Sequence, residues 1–399
     1  MKYYKGPQAG NERPLRAMIR GILLVLLLVS LLAVPFRTPQ ASGEAWQFAV
    51  SGDSRNCGDV VMPAIARSVL AHQVEFYWHL GDFRLGSGID EDMQNQSGGK
   101  LTTEEYHKKA WDDFIAQQIN PFGSLTVHLG IGNHELYMHG TTKEDENLSH
   151  AEFITKFSKW LGGSKAAYYR WKVRHVDFIN LDNSRSDGFD KNQLAWLETV
   201  LNEDRSDGDV HAVVVGMHRA LPNSLACGHS MNGDPYSSAE SNRKSTDSGR
   251  EAYQYLWDFQ NTTRKGVYVL ASHSHLYVEN IFNTSYWNRK NEKEEAVLKD
   301  KNEKEETTLK GWLIGTAGAI RYRLPDNLPP DTLAITYAYG YLLGTVYPDG
   351  KIAFEFQQVA ENDVPPQVVT RYGKHFVDIC FLANRDDASR SLPESCKEE

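Results

Sequence analysis

The stretch Leu125-Thr-Val-His-Leu-Gly-Ile-Gly-Asn-His-Glu135 joins an apolar run to two glycines and then to three polar side chains. A run of β-forming apolar residues that stops at glycine is typical of a buried strand. The strand would deliver Asn133, His134 and Glu135 into a cleft, and such strand ends are where α/β sheets usually keep their chemistry. Taken alone, the three residues also fit a polar turn in which the asparagine caps the next helix.

Two earlier apolar runs end in aspartate. Residues 46–50 lead to Asp53, residues 60–72 have the apolar spacing of a helix, and residues 74–80 lead to Asp82. Strand, helix and strand in succession predict a βαβ unit, in which the two strands are parallel. Because the carboxyl ends of parallel strands meet at one edge of a sheet, we expect Asp53 and Asp82 to lie close together.

Histidines end two later runs. The β-type run 210–215 leads to His218, and the run 267–270 leads to His273 and His275. Singly, each candidate has a plainer explanation, an aspartate that caps a turn or a histidine hydrogen-bonded in the core. Together, two carboxylates, one amide and three imidazoles are the ligands that adjacent divalent cations take. Two cations about 3.5–4 Å apart can hold a hydroxide and stabilise both the entering and the leaving oxygen of a phosphoryl group.

The rest of the chain predicts an α/β fold of two stacked mixed β-sheets flanked by helices. Residues 178–182 predict a further strand, and residues 312–315, 341–346 and 352–356 predict a second, antiparallel part of the core. Helices are expected at residues 104–118, 150–161, 191–201 and 251–260, and Gly-, Ser-, Asp- and Asn-rich loops at residues 86–100, over the site, and 222–249.

The first 43 residues have the composition of a secretory signal peptide. Five cations precede the apolar run 22–34, which is followed by Pro35 and by small residues at 41–43. The run is shorter than the roughly 18 residues of a spanning helix, so we expect cleavage near Gly43 and export to the periplasm or the extracellular space. The alternative is an uncleaved anchor over residues 17–36, through which alone the protein would meet a membrane.

The charge of the chain argues against nucleic acid as a partner. The formal net charge is −9, and residues 1–43 hold six cations and one anion, so the remainder is more acidic than the whole. A body of that charge is a poor non-specific binder of nucleic acid.

A tandem duplication interrupts the predicted domain, which we place at residues 44–360. Residues 290–300 recur with few changes as residues 301–311, and the repeat has too few apolar positions to supply a core face. A solvated, partly helical insertion is therefore expected at 290–311. A polar tail is expected at residues 361–399.

Four cysteines in a chain with an export segment indicate disulfides rather than thiol catalysis. Cys57 and Cys227 each follow a candidate ligand by a few residues, so a bridge between them would tie two loops of the site together. Cys380 and Cys396 lie in the predicted tail and could pin it. Four unpaired thiols are the alternative, and the connectivity stays open.

The motifs Asp-x-Arg, Gly-Asp, Gly-Asn-His-Glu, His and His-x-His, in that order and each at a predicted strand end, resemble those of the calcineurin-like metallophosphoesterases. The motifs are individually weak and jointly strong, and the resemblance runs from about residue 46 to 356. Residues 180–183 and 193–197 are also similar to the middle segment of that family. The resemblance implies a four-layer α/β/β/α sandwich, two divalent metal ions (Mn, Fe, Zn or Mg) and a small phosphoester substrate attacked by a metal-bound hydroxide.

The resemblance also assigns roles by position. Asp53 and His275 look like ligands of the first cation, and Asp82 looks like the bridge between the two cations. His134 looks like the catalytic side chain that contacts the phosphoryl group and protonates the leaving oxygen. The side chains that look like ligands of the second cation are Asn133, His218 and His273.

Three positions depart from the family pattern. Arg55 stands where many members have a histidine ligand, and a guanidinium is always charged and has no lone pair for a metal. Its fork suits a phosphate, so Arg55 is predicted to hold substrate; the plainer alternative is an outward-facing arginine paired with Asp59. Ser272 replaces the usual glycine before the last histidine pair. Leu85 stands where purple acid phosphatases have a ligand tyrosine, which argues against an iron–tyrosinate centre.

These features predict an exported dimetal phosphohydrolase that cleaves phosphomonoesters or phosphodiesters. The alternative is a binding or scaffold protein that keeps the fold but has little activity, because Arg55 damages its first metal site. A single-zinc hydrolase of non-phosphate substrates is a third possibility, but the sequence has no helical His-Glu-x-x-His motif.

Overall fold

The structure, a computed structural model, describes residues 43–137, 143–226, 229–233, 237–288, 308–325 and 328–382. The predicted signal segment, most of the tandem insertion, Cys227 and Cys396 lie outside the described residues. From Glu44 onward the chain forms one compact unit. Within the described ranges, no helix combines the length and the apolar character needed to cross a bilayer.

The strands in these ranges are β1 (Trp46–Ser51), β2 (Phe76–His79), β3 (Thr126–Leu129), β4 (Tyr169–Val173), β5 (Val176–Asn180), β6 (Ala212–Met217), β7 (Gly266–Ala271), β8 (Tyr277–Glu279), β9 (Lys310–Ile314), β10 (Ala334–Ile335), β11 (Tyr339–Val346) and β12 (Ile352–Val359). The helices are α1 (Gly58–Ala71), α2 (Glu91–Gln96), α3 (Thr103–Phe114), α4 (Lys143–Phe157), α5 (Lys191–Ser206), α6 (Ala239–Thr263), α7 (Pro366–Tyr372) and α8 (Lys374–Leu382).

The first sheet has five strands in the order β12, β11, β1, β2, β3. Strands β1, β2 and β3 are parallel, with Val50 opposite Trp78 and Trp78 opposite His128. Strands β11 and β12 extend the sheet in antiparallel pairing on the other side of β1. The βαβ unit predicted over residues 46–80 is confirmed, and the carboxyl ends of its strands lie at one edge of the sheet.

The second sheet has seven strands in the order β10, β8, β9, β7, β6, β5, β4. Its centre, β5 to β7 and β9, is parallel, and its outer strands pair antiparallel. The prediction that grouped residues 312–315 with 341–346 and 352–356 was wrong, because β9 joins this sheet and β11 and β12 join the first. Strand β4, which was not predicted, has the alternating pattern Tyr169-Arg-Trp-Lys-Val173 of a half-buried strand.

Successive side chains of each strand point to opposite faces of its sheet, one toward the other sheet and one toward the helices. In β1, Phe48 and Val50 face the second sheet, while Ala49 faces the helices. The space between the sheets is filled largely by aromatic rings, with the centroid of Phe76 5.4 Å from that of Phe48 and 4.9 Å from that of Phe178. Apolar side chains of α1 and α3 cover the outer face of the first sheet, and those of α5 and α6 cover the second. The predicted order of helix, sheet, sheet and helix is confirmed.

Two predicted loops contain helices. Residues 86–100 include α2, which is tied to the C-terminal helix α7 by a hydrogen bond from the Asn95 amide to the Tyr372 carbonyl. Residues 222–249 include the first half of α6, which Ser238 caps by accepting from the Ser241 N–H. The small residues that predicted a loop there serve close packing instead, since a Cβ on Gly249 would lie 2.5 Å from Cδ of Pro222.

The segment after residue 360 is not only a polar tail. Helices α7 and α8 bury Val368, Tyr372, Phe376 and Val377 in the core on the α1 side of the first sheet. Cys57, directly before α1, forms a disulfide with Cys380 in α8, with the Cα atoms 5.8 Å apart. The pairings considered above, Cys57 with Cys227 and Cys380 with Cys396, are therefore wrong, because packing of α8 beside α1 brings the two distant cysteines together.

Candidate metal centre

All the candidate site residues meet where the parallel strands of the two sheets end. The sheets are joined at this point, because the Leu80 carbonyl after β2 accepts from Ser272 Oγ at 3.1 Å and from His218 Nδ1 at 3.0 Å. Ser272, which departs from the family pattern, thus helps to hold the two sheets together. The residues that follow the strand ends are Asp53 and Arg55 after β1, Asp82 after β2, Asn133 and His134 after β3, His218 after β6, and His273 and His275 after β7.

Three of these residues have left-handed backbone conformations. The φ angles are 60° at Asp53, 59° at Asp82 and 67° at His273. Such conformations are uncommon outside glycine and cluster at functional sites, where surrounding structure offsets a cost of about 1–3 kcal/mol each. Each sharp turn directs its side chain into the cleft.

Asp82, His218 and His273 form a group whose ligand atoms all lie within 4.8 Å of one another. His218 Nε2 is 3.2 Å from Asp82 Oδ1 and 3.1 Å from His273 Nδ1. It is also 3.0 Å from Asn133 Oδ1. A carboxylate, an amide oxygen and two imidazoles within this space are a donor set suited to one divalent cation.

The buried histidines and carboxylates of this group shift one another's pKa values. Burial would lower the pKa of His218, but the carboxylates of Asp82, Asp53 and Glu135 together outweigh it and raise the value to about 9. Burial would raise the pKa of Asp82, but His218, with His134 and Arg55, holds it well below its usual range. Burial, reinforced by His218, lowers the pKa of His273. The proton on His218 thus compensates a charge that a bound cation would also neutralise.

Two carboxylate oxygens in the centre lack hydrogen-bond donors. Oδ1 of Asp53 and Oδ2 of Asp82 are buried and accept no hydrogen bond. Buried polar atoms are rarely left without a partner, because the desolvation cost is then not repaid. These atoms fit a positively charged group in the cleft, either a cation or the nearby guanidinium.

Arg55 lies inside the cleft and is only 9% exposed. Its Nη1 donates to His134 Nε2 at 2.7 Å, and its Nη2 donates to His275 Nε2 at 2.8 Å. The plainer expectation of an outward-facing arginine paired with Asp59 was wrong. Asp59 binds Arg84 instead, at 2.6 Å, within a separate buried network.

Glu135 supports the centre from behind, a role that the sequence analysis missed. Its carboxylate accepts from the backbone N–H groups of Asp82 at 3.0 Å, Phe83 at 2.7 Å and Gly132 at 2.6 Å. Burial and the nearby Asp82 raise the pKa of Glu135 to about 7. A glycine is required beside it, because a Cβ on Gly132 would lie 2.2 Å from Asp82 Oδ1. Its position at the end of the Gly-Asn-His-Glu motif is the feature of the sequence that could have identified this role.

An aromatic wall, formed by Tyr322 and His229, flanks the centre and was also missed. The Tyr322 ring stacks on His275 with centroids 4.1 Å apart, and the His229 ring lies 4.7 Å from Tyr322 and 5.3 Å from His273. Both residues lie in irregular segments far from the motifs, so no local pattern marks them.

Comparisons with known proteins bear on the fold. Neither a family model nor a curated protein sequence matches the chain. Among solved structures, the chain is similar to purple acid phosphatase PPD1 from seeds of yellow lupin (Lupinus luteus), with a TM-score of 0.52 and 14% identity over 80% of this chain and 52% of that one. It is also similar to PhoD, with a TM-score of 0.48 and 12% identity over 88% of this chain and 79% of that one.

The likeness to the lupin phosphatase is one of fold, since the identity is low and the chain spans about half the length of that protein. It covers 80% of this chain, whose two mixed sheets have the architecture that the ordered strand-end motifs predicted. The chain therefore shares the two-sheet α/β fold of that phosphatase.

Proposed function

We propose that the chain is a metal-dependent phosphoesterase that hydrolyses a small phosphomonoester or phosphodiester. The observation that carries the proposal is the group of Asp82, His218 and His273 directly beside the Arg55 guanidinium. A divalent cation held by this group would polarise a phosphoryl oxygen and lower the pKa of a coordinated water. The fold shared with a phosphatase supports the same reaction class.

Arg55 and His134 are the proposed groups that handle the substrate. The guanidinium offers a rigid fork of donors that matches two phosphoryl oxygens. Its Nε makes no hydrogen bond and lies 3.9 Å from Asp82 Oδ2, so a donor remains for a ligand. His134, 2.7 Å from Arg55, is placed to contact the same phosphoryl group. The negative charge of a bound phosphoryl group would raise the pKa of the ring, and the protonated ring is proposed to protonate the leaving oxygen.

The two cation positions implied by the family resemblance fit this chain unequally. The second position has its full donor set of Asp82, Asn133, His218 and His273. The first position, between Asp53, Asp82 and His275, contains the Arg55 side chain. Manganese, iron, zinc and magnesium are all candidates for the bound ion, and Leu85 in place of a tyrosine argues against an iron–tyrosinate centre.

A binding or scaffold protein with the same fold is the second candidate, and Arg55 in the first position is the observation that favours it. Metal analysis beside turnover of nitrophenyl phosphate and bis-nitrophenyl phosphate separates the two. Cation-dependent turnover supports the phosphoesterase, whereas bound metal without turnover of any phosphoester supports the binding protein. A single-zinc hydrolase of other substrates would be inactive on both compounds but active on carboxylic esters or amides.

Replacement of Asp82 tests the centre directly. Asp82→Asn keeps the shape of the side chain but removes the charge that faces His218, so we expect bound metal and turnover to be lost together. The measurements are elemental analysis and the two nitrophenyl assays, with a melting curve to show that the variant folds. A folded variant that keeps its metal would remove Asp82 from the ligand set.

Export is proposed on two grounds. The composition of residues 1–43 is that of a signal peptide. The Cys57–Cys380 disulfide is of a kind that persists in oxidising compartments. N-terminal sequencing of the protein from its native source should begin near Glu44, and an intact N-terminus in purified membranes would favour the anchored form.

A further inference from the structure

We propose that the Arg55 guanidinium takes the place of the first cation, so that the centre binds one divalent ion and not two. The inference deepens the proposed function and rests on it in one respect, namely that the cleft binds a divalent cation.

The lone pairs of two imidazoles are already used by Arg55. Nδ1 of His275 donates to the Ile320 carbonyl at 2.6 Å, which leaves the lone pair of the neutral ring on Nε2. That Nε2 accepts from Arg55 Nη2 at 2.8 Å, and His134 Nε2 accepts from Arg55 Nη1 at 2.7 Å. A cation bound to His275 would need the same lone pair and would have to displace the guanidinium.

One carboxylate of the first position lies near Arg55, and the other lies near the histidine that Arg55 binds. Oδ1 of Asp53 lies 3.4 Å from His275 Nε2, and Oδ2 of Asp82 lies 3.9 Å from Arg55 Nε. Among the residues that the structure describes, a metal-binding arrangement of carboxylates and imidazoles is found for Asp82, His218 and His273, and Asp53 and His275 are not part of it. Asp82 and His275 therefore face a guanidinium, and Asp53 lies beside His275.

Charge balance points the same way. Two buried carboxylates, Asp53 and Asp82, belong to the first position, and the charge of Arg55 is permanent. One divalent ion together with the guanidinium already exceeds the negative charge of these carboxylates. A second divalent ion would lie beside the guanidinium in a cleft with little water to screen the repulsion.

The backbone that carries Arg55 is fixed on its C-terminal side. The Asn56 N–H donates to the buried Asp90 carboxylate at 2.5 Å, and the Cys57 N–H donates to the Gly318 carbonyl at 3.3 Å. Cys57 is also joined to Cys380 by the disulfide. These contacts hold the Cα of Arg55 at the rim of the cleft, so its side chain is part of the built site.

The centre would then contain one positive group that can be exchanged, the divalent cation, and one that is permanent, the Arg55 guanidinium. The guanidinium can neutralise and orient phosphoryl oxygens before any metal binds, and it does so independently of metal concentration. The single cation at Asp82, His218 and His273 then supplies the Lewis acidity alone.

Metal counting on the full mature chain tests the inference. Protein stripped with a chelator is titrated with Mn²⁺ alone by calorimetry, and bound metal is counted by elemental analysis after gel filtration. We expect one equivalent in the wild type and two in Arg55→His, because the substitution removes a charge and adds a lone-pair donor. Asp53→Asn in the wild-type background should leave the single equivalent in place, whereas combined with Arg55→His it should return the count from two to one.

Matched controls separate this effect from general damage. Arg170→His makes the same chemical change at a half-buried arginine on β4, and we expect it to keep one equivalent. His273→Ala should bind none. Melting curves establish that each variant is folded.

Two equivalents in the wild type would overturn the inference while leaving the proposed phosphoesterase intact. A folded Arg55→His variant that still binds one equivalent would also overturn it. A wild type that binds no metal would overturn both the inference and the metal dependence of the proposed reaction. One equivalent in the wild type and two in Arg55→His, without turnover of phosphoesters, would support the inference and overturn the proposed function.

Discussion

His134 illustrates how a single residue in the cleft is governed by its neighbours. Burial, reinforced by the charge of Arg55, lowers the pKa of His134 to about 3. The ring is therefore neutral in the structure described here, and its Nε2 accepts from Arg55. Its side chain is not part of the group suited to hold a metal, so its contribution to metal binding and its contribution to turnover can be separated.

We expect His134→Gln to retain bound metal and to lower turnover by about 10²–10⁴-fold, the range for loss of a proton-transfer group. Glutamine keeps a polar side chain of similar reach, so the cleft should stay formed. Elemental analysis and steady-state kinetics on nitrophenyl phosphate check the two parts. Parallel loss of metal and turnover would instead make His134 a ligand.

Glu135 acts on the centre through the backbone. Glu135→Ala would leave three buried N–H groups without an acceptor, at a cost of about 1–3 kcal/mol for each group that water does not reach. We expect the free energy of unfolding to fall by about 3 kcal/mol, measured by urea denaturation. Glu135→Gln, which keeps one acceptor oxygen, should cost less, and equal stability of all three proteins would contradict this role.

At the scale of elements, strand β5 and helix α5 meet through two buried carboxyl groups. Asp177 of β5 and Asp204 of α5 are fully buried. Arg170 of β4 lies 3.6 Å from Asp177 and 3.8 Å from Asp204. Burial, together with the nearby Asp204 carboxyl group, raises the pKa of Asp177 to about 8. A proton held on Asp177 therefore removes the repulsion between the two carboxyl groups.

This proton links stability to pH. The folded state holds it up to about pH 8, whereas an unfolded aspartate loses it near its ordinary pKa of 3.8. The stabilisation is therefore complete below about pH 4 and is lost as the pH rises through 8. We expect the urea midpoint of the wild type to fall between pH 5 and pH 9 and that of Asp177→Asn to fall less. Equal falls would rule out Asp177 as the source.

At the scale of the molecule, the Cys57–Cys380 disulfide links the edge of the site to helix α8. Cys57 lies two residues after Arg55, and its partner Cys380 is 323 residues away in the sequence. The bridge joins α8 to the start of α1, beside the core that covers the first sheet. Closing so long a segment removes much of the freedom of the unfolded chain.

We expect the double variant Cys57→Ser with Cys380→Ser to lose about 2–5 kcal/mol of unfolding free energy, the usual range for a native disulfide. Denaturant unfolding measures the change, and non-reducing peptide mapping of the wild type checks the pairing. An unchanged free energy would mean that the packing of α8 holds this region without the bridge.

Local patterns predicted much of this molecule. Each apolar run ending in glycine or a polar residue is a property of a few neighbouring residues, so strands such as β1, β2 and β3 and the side chains at their ends could be recognised in the sequence. The βαβ connection implies that its two strands are parallel, which placed Asp53 and Asp82 at one edge of the sheet. The order of the motifs then predicted the two-sheet fold.

Tertiary structure decided what depends on distant partners. The contacts of Arg55 with His134 and His275 span 79 and 220 residues, and nothing in the local sequence around Arg55 distinguishes a substrate-binding arginine from one on the surface. The same holds for the sheet that β9 joins and for the partner of Cys57. These choices are set by which surfaces pack together once the two sheets close, because long-range contacts depend on shape and burial over the whole core.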